Sequence, residues 1–319
     1  MSSLIWYRHA FANRIQSFLL LLAMSGFLAL LGAILWGSDG VIALLFMGLM
    51  LVLFNPVITP QLIMRMYRAR PLARAQAPAL HAALGQLAQR AELPVTPVLY
   101  YVPSSMVNAF AVGSRRQSAI AVSDGLLRAL ETRETIGVLA HEISHIRNND
   151  MWVMGIADMF SRLTSMLSLF GQLLLLLNLP LIIFSAVSIN WMAILILIFA
   201  PSLSALAQLG LSRTREYDAD LNAVRLTGDP EGLARALLKI ERQQGSFMER
   251  IFLPGRGIPD PSLLRTHPPT EERVRRLMEL QHDGSVTGMN LPASGFMPDA
   301  FLDNPAQRPP RWHINGLWH

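Results

Sequence analysis

The sequence predicts an α+β, mostly α-helical integral membrane protein, in which a domain with a small β-sheet is attached to about four transmembrane helices. Three observations carry this prediction. The 319 residues are 52% hydrophobic and only 15% charged, against about 25% charged in ordinary globular domains. Two long runs are nearly uncharged: 15–64 holds only Asp39, and 163–212 holds no charge at all. Outside these runs, helix-period stripes and short apolar strand patterns return.

Residues 1–15 are basic, with Arg8 and Arg14 and no acid. About 20 apolar residues cross a bilayer as a helix. The first run therefore reads as two spans, 16–36 and 41–64, joined by a turn at Gly37-Ser38-Asp39-Gly40. The first span is too long for a cleaved signal peptide and is followed by a second. Asn55, Pro56 and Pro60 predict a kink or an early end to the second span. Arg65, Arg68, Arg70 and Arg74 follow at once. Basic flanks on both sides put residues 1–15 and everything after 64 in the cytoplasm. The same placement accounts for the net charge of +5 without a nucleic-acid surface. The absence of cysteine removes disulfides and thiolate metal sites.

Segments 65–162 and 213–281 read as two parts of one cytoplasmic domain. In the first, 76–92 predicts an amphipathic helix with Leu80, Leu84, Leu87 and Ala91 on one side and His81 as a surface histidine. Strands follow at 97–102, 108–113 and 118–122, the last two linked by Ser114-Arg115-Arg116-Gln117. A sheet edge here suits a polypeptide that adds itself as a strand, and Asn108 could hold such a backbone or simply be a turn residue. A helix over 133–147, with Thr132 as N-cap, carries an apolar stripe of Ile136, Leu139, Ala140, Ile143 and Ile146.

That helix also carries His141-Glu142-Ile143-Ser144-His145, the pattern H-E-x-x-H. Residues four apart share a helix face, so His141 and His145 can aim at one ion. Glu142 is turned by about 100°, which sets its carboxylate beside the ion as a general base for water. A packed helix bearing this much polarity needs a partner for it, and a metal is one. A catalytic zinc takes three protein ligands. The third donor is sought in Ser212–Asp220, where Glu216 and Asp220 are again four apart. One carboxylate can bind the ion while the other accepts the free N–H of a ligating histidine. The alternative is a solvated helix on which both pair with Arg213 and Arg215.

The second apolar run suits two more spans, near 163–187 and 190–211, interrupted by Asn178, Pro180 and Asn190. A hairpin that only partly crosses the bilayer is the competing reading. Arg162, Arg213 and Arg215 put both ends on the side of the 133–147 helix. The helix through Glu216 runs to about Leu226. Asp229 then caps a helix that starts at Pro230 and runs to about Arg242, followed by a loop over 245–264. His267-Pro268-Pro269 is a stiff loop, suited to a donor aimed at an oxyanion, although by itself it reads first as a solvated loop histidine. The helix from Thr270 is expected to turn Val274, Leu277 and Leu280 inward and Arg273, Arg275 and Arg276 largely outward. The tail over 282–319 has no helical period and predicts a mobile segment, with His282, His313 and His319 solvated.

Taken together, Asn108–Gly113, Ala140–Ile146, Ser212–Asp220 and His267-Pro268-Pro269 resemble the HtpX family of membrane-embedded bacterial zinc endopeptidases. The prenyl-protein (CAAX) proteases are a more distant match. The resemblance runs from the first apolar segment to about Leu280. It implies a zincin-type metalloprotease domain with one Zn2+ per chain, held by His141, His145 and Glu216, and Glu142 as catalytic base. It also implies Asp220 supporting a ligand from outside the coordination sphere, Asn108 contacting the substrate backbone and His267 stabilising the tetrahedral intermediate. Protein substrates, misfolded membrane proteins among them, the bacterial inner membrane and a stress-linked quality-control role come with it. Two other readings stay open. One is a prenyl-protein processing protease, which needs a larger intramembrane chamber than about four spans supply. The other is a non-catalytic membrane scaffold or transporter, which the near-absence of charge in the spans disfavours.

Overall fold

The computed structural model describes residues 2–53, 59–184, 191–251 and 268–281. The tail over 282–319, His267 and most of the 245–264 loop lie outside the described residues. In chain order the elements are α1 (Ser2–Leu53), α2 (Pro60–Met66), β1 (Arg70–Pro71), α3 (Pro78–Arg90), β2 (Val98–Val102), β3 (Ala109–Gly113), β4 (Ser118–Ser123), α4 (Asp124–Ala129), α5 (Thr132–Arg147), α6 (Asp150–Phe184), α7 (Trp191–Thr227), α8 (Pro230–Ile251) and α9 (Thr270–Gln281). The chain is mostly helical with one small mixed sheet, and it divides into two compact units.

One unit gathers Met1–Val57, Asn148–Leu221 and Gly257–Arg273. Against the four spans the sequence predicts, three helical runs among the described residues are long and apolar enough to cross a membrane: Ala10–Met50, Asp150–Pro180 and Trp191–Thr227. The difference lies in α1, which contains both of the first two predicted spans. Its backbone leaves helical geometry at Gly37 (φ 67°, ψ −146°), a conformation glycine adopts without steric cost. A Cβ built on Gly32 would lie 2.6 Å from the carbonyl oxygen of Gly40, whereas eight residues of straight helix separate two positions by about 12 Å. The chain therefore folds back at Gly37, and the two glycines let the legs touch.

Met24 and Leu28 of the first leg and Leu44 of the second pack on Ile156, Ala157 and Phe160 of α6 and Leu211 of α7. Ser168 Oγ donates to the Leu197 carbonyl at 2.6 Å and joins α6 to α7. No more than 22% of each apolar window is buried. Phe18, Phe46, Leu177 and Leu206 face outward, which suits hydrocarbon and not water. α6 begins at Asp150, well before the span predicted near 163–187, whereas α7 joins the span predicted near 190–211 to the helix predicted to run to about Leu226. Only Asn148 and Asn149 separate α5 from α6, and Asn149 lies in the left-handed region at φ 53°. No Gly or Pro interrupts α7 where its charges begin, so it continues to Thr227.

The second unit gathers Ile58–Arg147, Asn222–Arg256 and Val274–His319. Its sheet has the order β1-β2-β4-β3. β2 and β4 are parallel, whereas β1–β2 and β3–β4 are antiparallel. β4 is buried along its whole length. The sequence predicts three of these strands. β1, two residues long, is too short to show a period, and α4 is announced only by its cap, Ser123, whose Oγ accepts the Leu126 N–H at 3.1 Å.

α5 packs beside β3 and against α3 and α8. A Cβ on Gly137 would stand 3.1 Å from the Leu233 backbone, so this glycine sets how closely α5 and α8 approach. Arg133 holds both Asp229 and Glu231 at the start of α8, and Lys239 reaches Glu134 at 2.7 Å. Thr132 is the first helical residue and not the cap: Glu134 accepts the Glu131 N–H at 2.8 Å, one half of a capping box. His81 is also less exposed than the sequence suggests, with Nε2 2.8 Å from the Leu72 carbonyl oxygen.

Candidate metal centre

α5 is buried from Glu134 to Ile146. Ile136, Leu139, Ile143 and Ile146 fill the core, each at most 1% exposed. The same helix buries His141, Glu142 and His145. The two imidazoles meet edge to face, centroids 4.6 Å apart and planes at 90°, with their Nε2 atoms 3.1 Å apart. Two nitrogen ligands on a tetrahedral zinc, each at about 2.0–2.1 Å, stand about 3.3 Å from one another. The pair therefore already has the spacing that a shared ion requires.

Glu216 on α7 is 1% exposed. One donor atom from each of His141, His145 and Glu216 lies within 4.8 Å of the others. Two imidazoles and a carboxylate form the donor set of a catalytic zinc site, which keeps a position open for water or substrate. The residues present fit the ion.

Around Glu216 the structure places a residue that the sequence reading turned the other way. Arg273, expected to face largely outward, is buried. Its Nη1 is 3.3 Å from Glu216 Oε2, and Nε and Nη2 donate to the two carboxylate oxygens of Asp220 at 2.7 and 2.6 Å. The signal was available. Arg273 stands four and seven residues before Leu277 and Leu280, on the face of the apolar stripe, where a charge implies a buried partner. On α7, Arg215, the residue before Glu216, pairs with Asp150 at the start of α6, and Asn148 donates to Asp218 at 3.0 Å. The stretch around Glu216 is thus enclosed and ion-paired, not the solvated helix of the alternative reading.

Asn108 stands immediately before β3. Its N–H donates to Ser123 Oγ and its carbonyl accepts the Ser123 N–H, both at 3.0 Å. Ser123 Oγ also donates to the Met106 carbonyl at 2.6 Å. A Cβ on Gly125 would lie 2.7 Å from that carbonyl oxygen, so only glycine admits the loop there. These contacts fix the backbone of Asn108 and leave its side chain half exposed.

A buried H-E-x-x-H helix with a carboxylate in reach, in a chain with membrane-length apolar helices, defines a membrane metallopeptidase. The chain belongs to peptidase family M48, whose match covers residues 74–281. It is 36% identical over 276 residues to the protease HtpX homolog of Pelotomaculum thermopropionicum, covering 83% of this chain and 98% of that one. It is 34% identical over 290 residues to the protease HtpX homolog of Pyrococcus furiosus, covering 83% and 95%. Among solved structures, the crystal structure of S. mikatae Ste24p aligns over 85% of this chain and 66% of that chain, at 24% identity and a TM-score of 0.43.

Proposed function

We propose that this chain is a zinc endopeptidase of the bacterial inner membrane. In this reading it cuts membrane or membrane-associated proteins on the cytoplasmic side, in protein quality control. The observation that carries the reading is the approach of the His141, His145 and Glu216 donor atoms to within 4.8 Å of one another, with Glu142 beside His141 on the same buried helix. When bound, zinc lowers the pKa of water toward about 7 and polarises a carbonyl. Glu142 takes the proton of the attacking water and later passes it to the leaving amine. His267 donates to the oxyanion. Asp220 acts through Arg273, which braces Glu216 from behind. β3, outermost in the strand order and preceded by Asn108, suits a substrate that adds itself as a further strand.

The cytoplasmic side rests on the arginines that flank the apolar runs, and the quality-control role on the resemblance to HtpX proteases. The test uses full-length protein purified in detergent. Wild type and Glu142→Gln should each hold about one zinc per chain, while His141→Ala should hold none. Cleavage of an unfolded test protein should stop with chelator and fall about a thousandfold in Glu142→Gln. Unimpaired cleavage by Glu142→Gln would sink the proposal.

A further inference from the structure

From Gly40 to Ser123 the chain carries one acidic residue, Glu92, against seven arginines. The structure gathers several of these arginines around α2. This helix lies along β3. At one end a Cβ on Gly113 would be 2.8 Å from Pro60, at the other the Tyr67 ring is 5.0 Å from Phe110, and Met64 between them is 1% exposed.

The other face of α2 is unlike a solvated surface. Leu62 is 53% and Met66 70% exposed, and the exposed Arg65 lies on the same face, three residues beyond Leu62. Gly113, held against Pro60, leads into the Ser114–Gln117 turn, where Arg115 and Arg116 are exposed. Arg115 also donates to the Glu92 carbonyl at 3.3 Å. Exposed alkyl groups among guanidiniums match the boundary of an anionic bilayer, where the alkyl groups enter the acyl region and the cations meet phosphates. Chain continuity points the same way. The apolar α1 ends at Leu53 and α2 starts at Pro60, so only six residues of chain separate α2 from a membrane-length apolar segment.

We infer that α2 and the β3–β4 turn form a docking surface for anionic phospholipid headgroups, which seats one end of β3 on the bilayer. Nucleic acid fits less well, because it offers nothing to Leu62 and Met66. The chain has no cysteine, so a single one can be introduced at Met66 or Gln117 and carry a nitroxide in the full-length protein in lipid discs. Replacing zwitterionic discs by phosphatidylglycerol-rich discs should cut label accessibility to an aqueous nickel chelate about threefold. High salt should restore it, and so should the combined Arg65→Ser, Arg115→Ser and Arg116→Ser variant. Equal accessibility in the two lipids overturns the proposal. Protection that ignores salt and arginines does so too, as does protection by an oligonucleotide but not by anionic lipid. The measurement needs neither zinc nor proteolysis, so it stands apart from the catalytic reading.

Discussion

Helix α7 has two opposite burial patterns on one backbone. Near its start, large apolar side chains face outward: Trp191, Leu195 and Leu206 are 67%, 49% and 64% exposed. From Thr214 to Asp220, polar side chains are enclosed instead, with Thr214, Arg215, Glu216, Asp218 and Asp220 all buried. For a protein in water both halves are inside out. Lipid explains the first half, because an apolar side chain loses nothing by facing hydrocarbon. Pairing explains the second, because Arg215 meets Asp150 and Arg273 meets Asp220 and Glu216. Exposure has meaning only against the local solvent, and the point where the pattern reverses marks where the solvent changes.

The enclosed half should break hardest. Arg273→Met strips the guanidinium from two buried carboxylates, and a loss of about 3–5 kcal/mol is expected. It would be read as a lower unfolding temperature in detergent together with reduced zinc content. Arg273→Lys should recover little, since an ammonium cannot form the two-pronged contact with Asp220. A melting curve unchanged by Arg273→Met would show that enclosure, not pairing, sustains these charges.

The outward half should respond next. Leu195→Asp places a charge in the span at a cost of about 2.5–3.5 kcal/mol for insertion. The protein should shift out of the membrane fraction, whereas Leu195→Ala should stay in it. If both variants stay, this face does not meet lipid.

Asp229 sets the scale for a charge at an ordinary helix start. Burial pushes its carboxyl up, but Arg133 and the Gly232 N–H outweigh burial and hold it below the usual carboxylate range. A lowered folded-state pKa contributes stability above the unfolded value of about 3.9, and this contribution is lost as pH falls through the folded value. Asp229→Ala should therefore cost about 1–2 kcal/mol at neutral pH. Its unfolding midpoint and that of wild type should converge in acid, and a constant gap across that range would refute the assignment.

Much of this was legible in the sequence because periodicity and capping are local. The helix carrying H-E-x-x-H, the strands around Asn108 and the Asp229-Pro230 start each announce themselves within a few residues. Other features escaped for physical reasons. Arg273 is explained only by carboxylates more than fifty positions earlier. β1 has two residues and exists only because β2 lies beside it. The turn between the first two spans, by contrast, was announced by Gly37-Ser38-Asp39-Gly40, and the backbone does leave helical geometry at Gly37.

The stretch of α7 from Ser202 to Glu216 contains no proline and no loop. One uninterrupted helix thus links the outward-facing Leu203 and Leu206 to the enclosed Glu216 carboxylate. How the bilayer seats this span therefore bears on where that carboxylate is held.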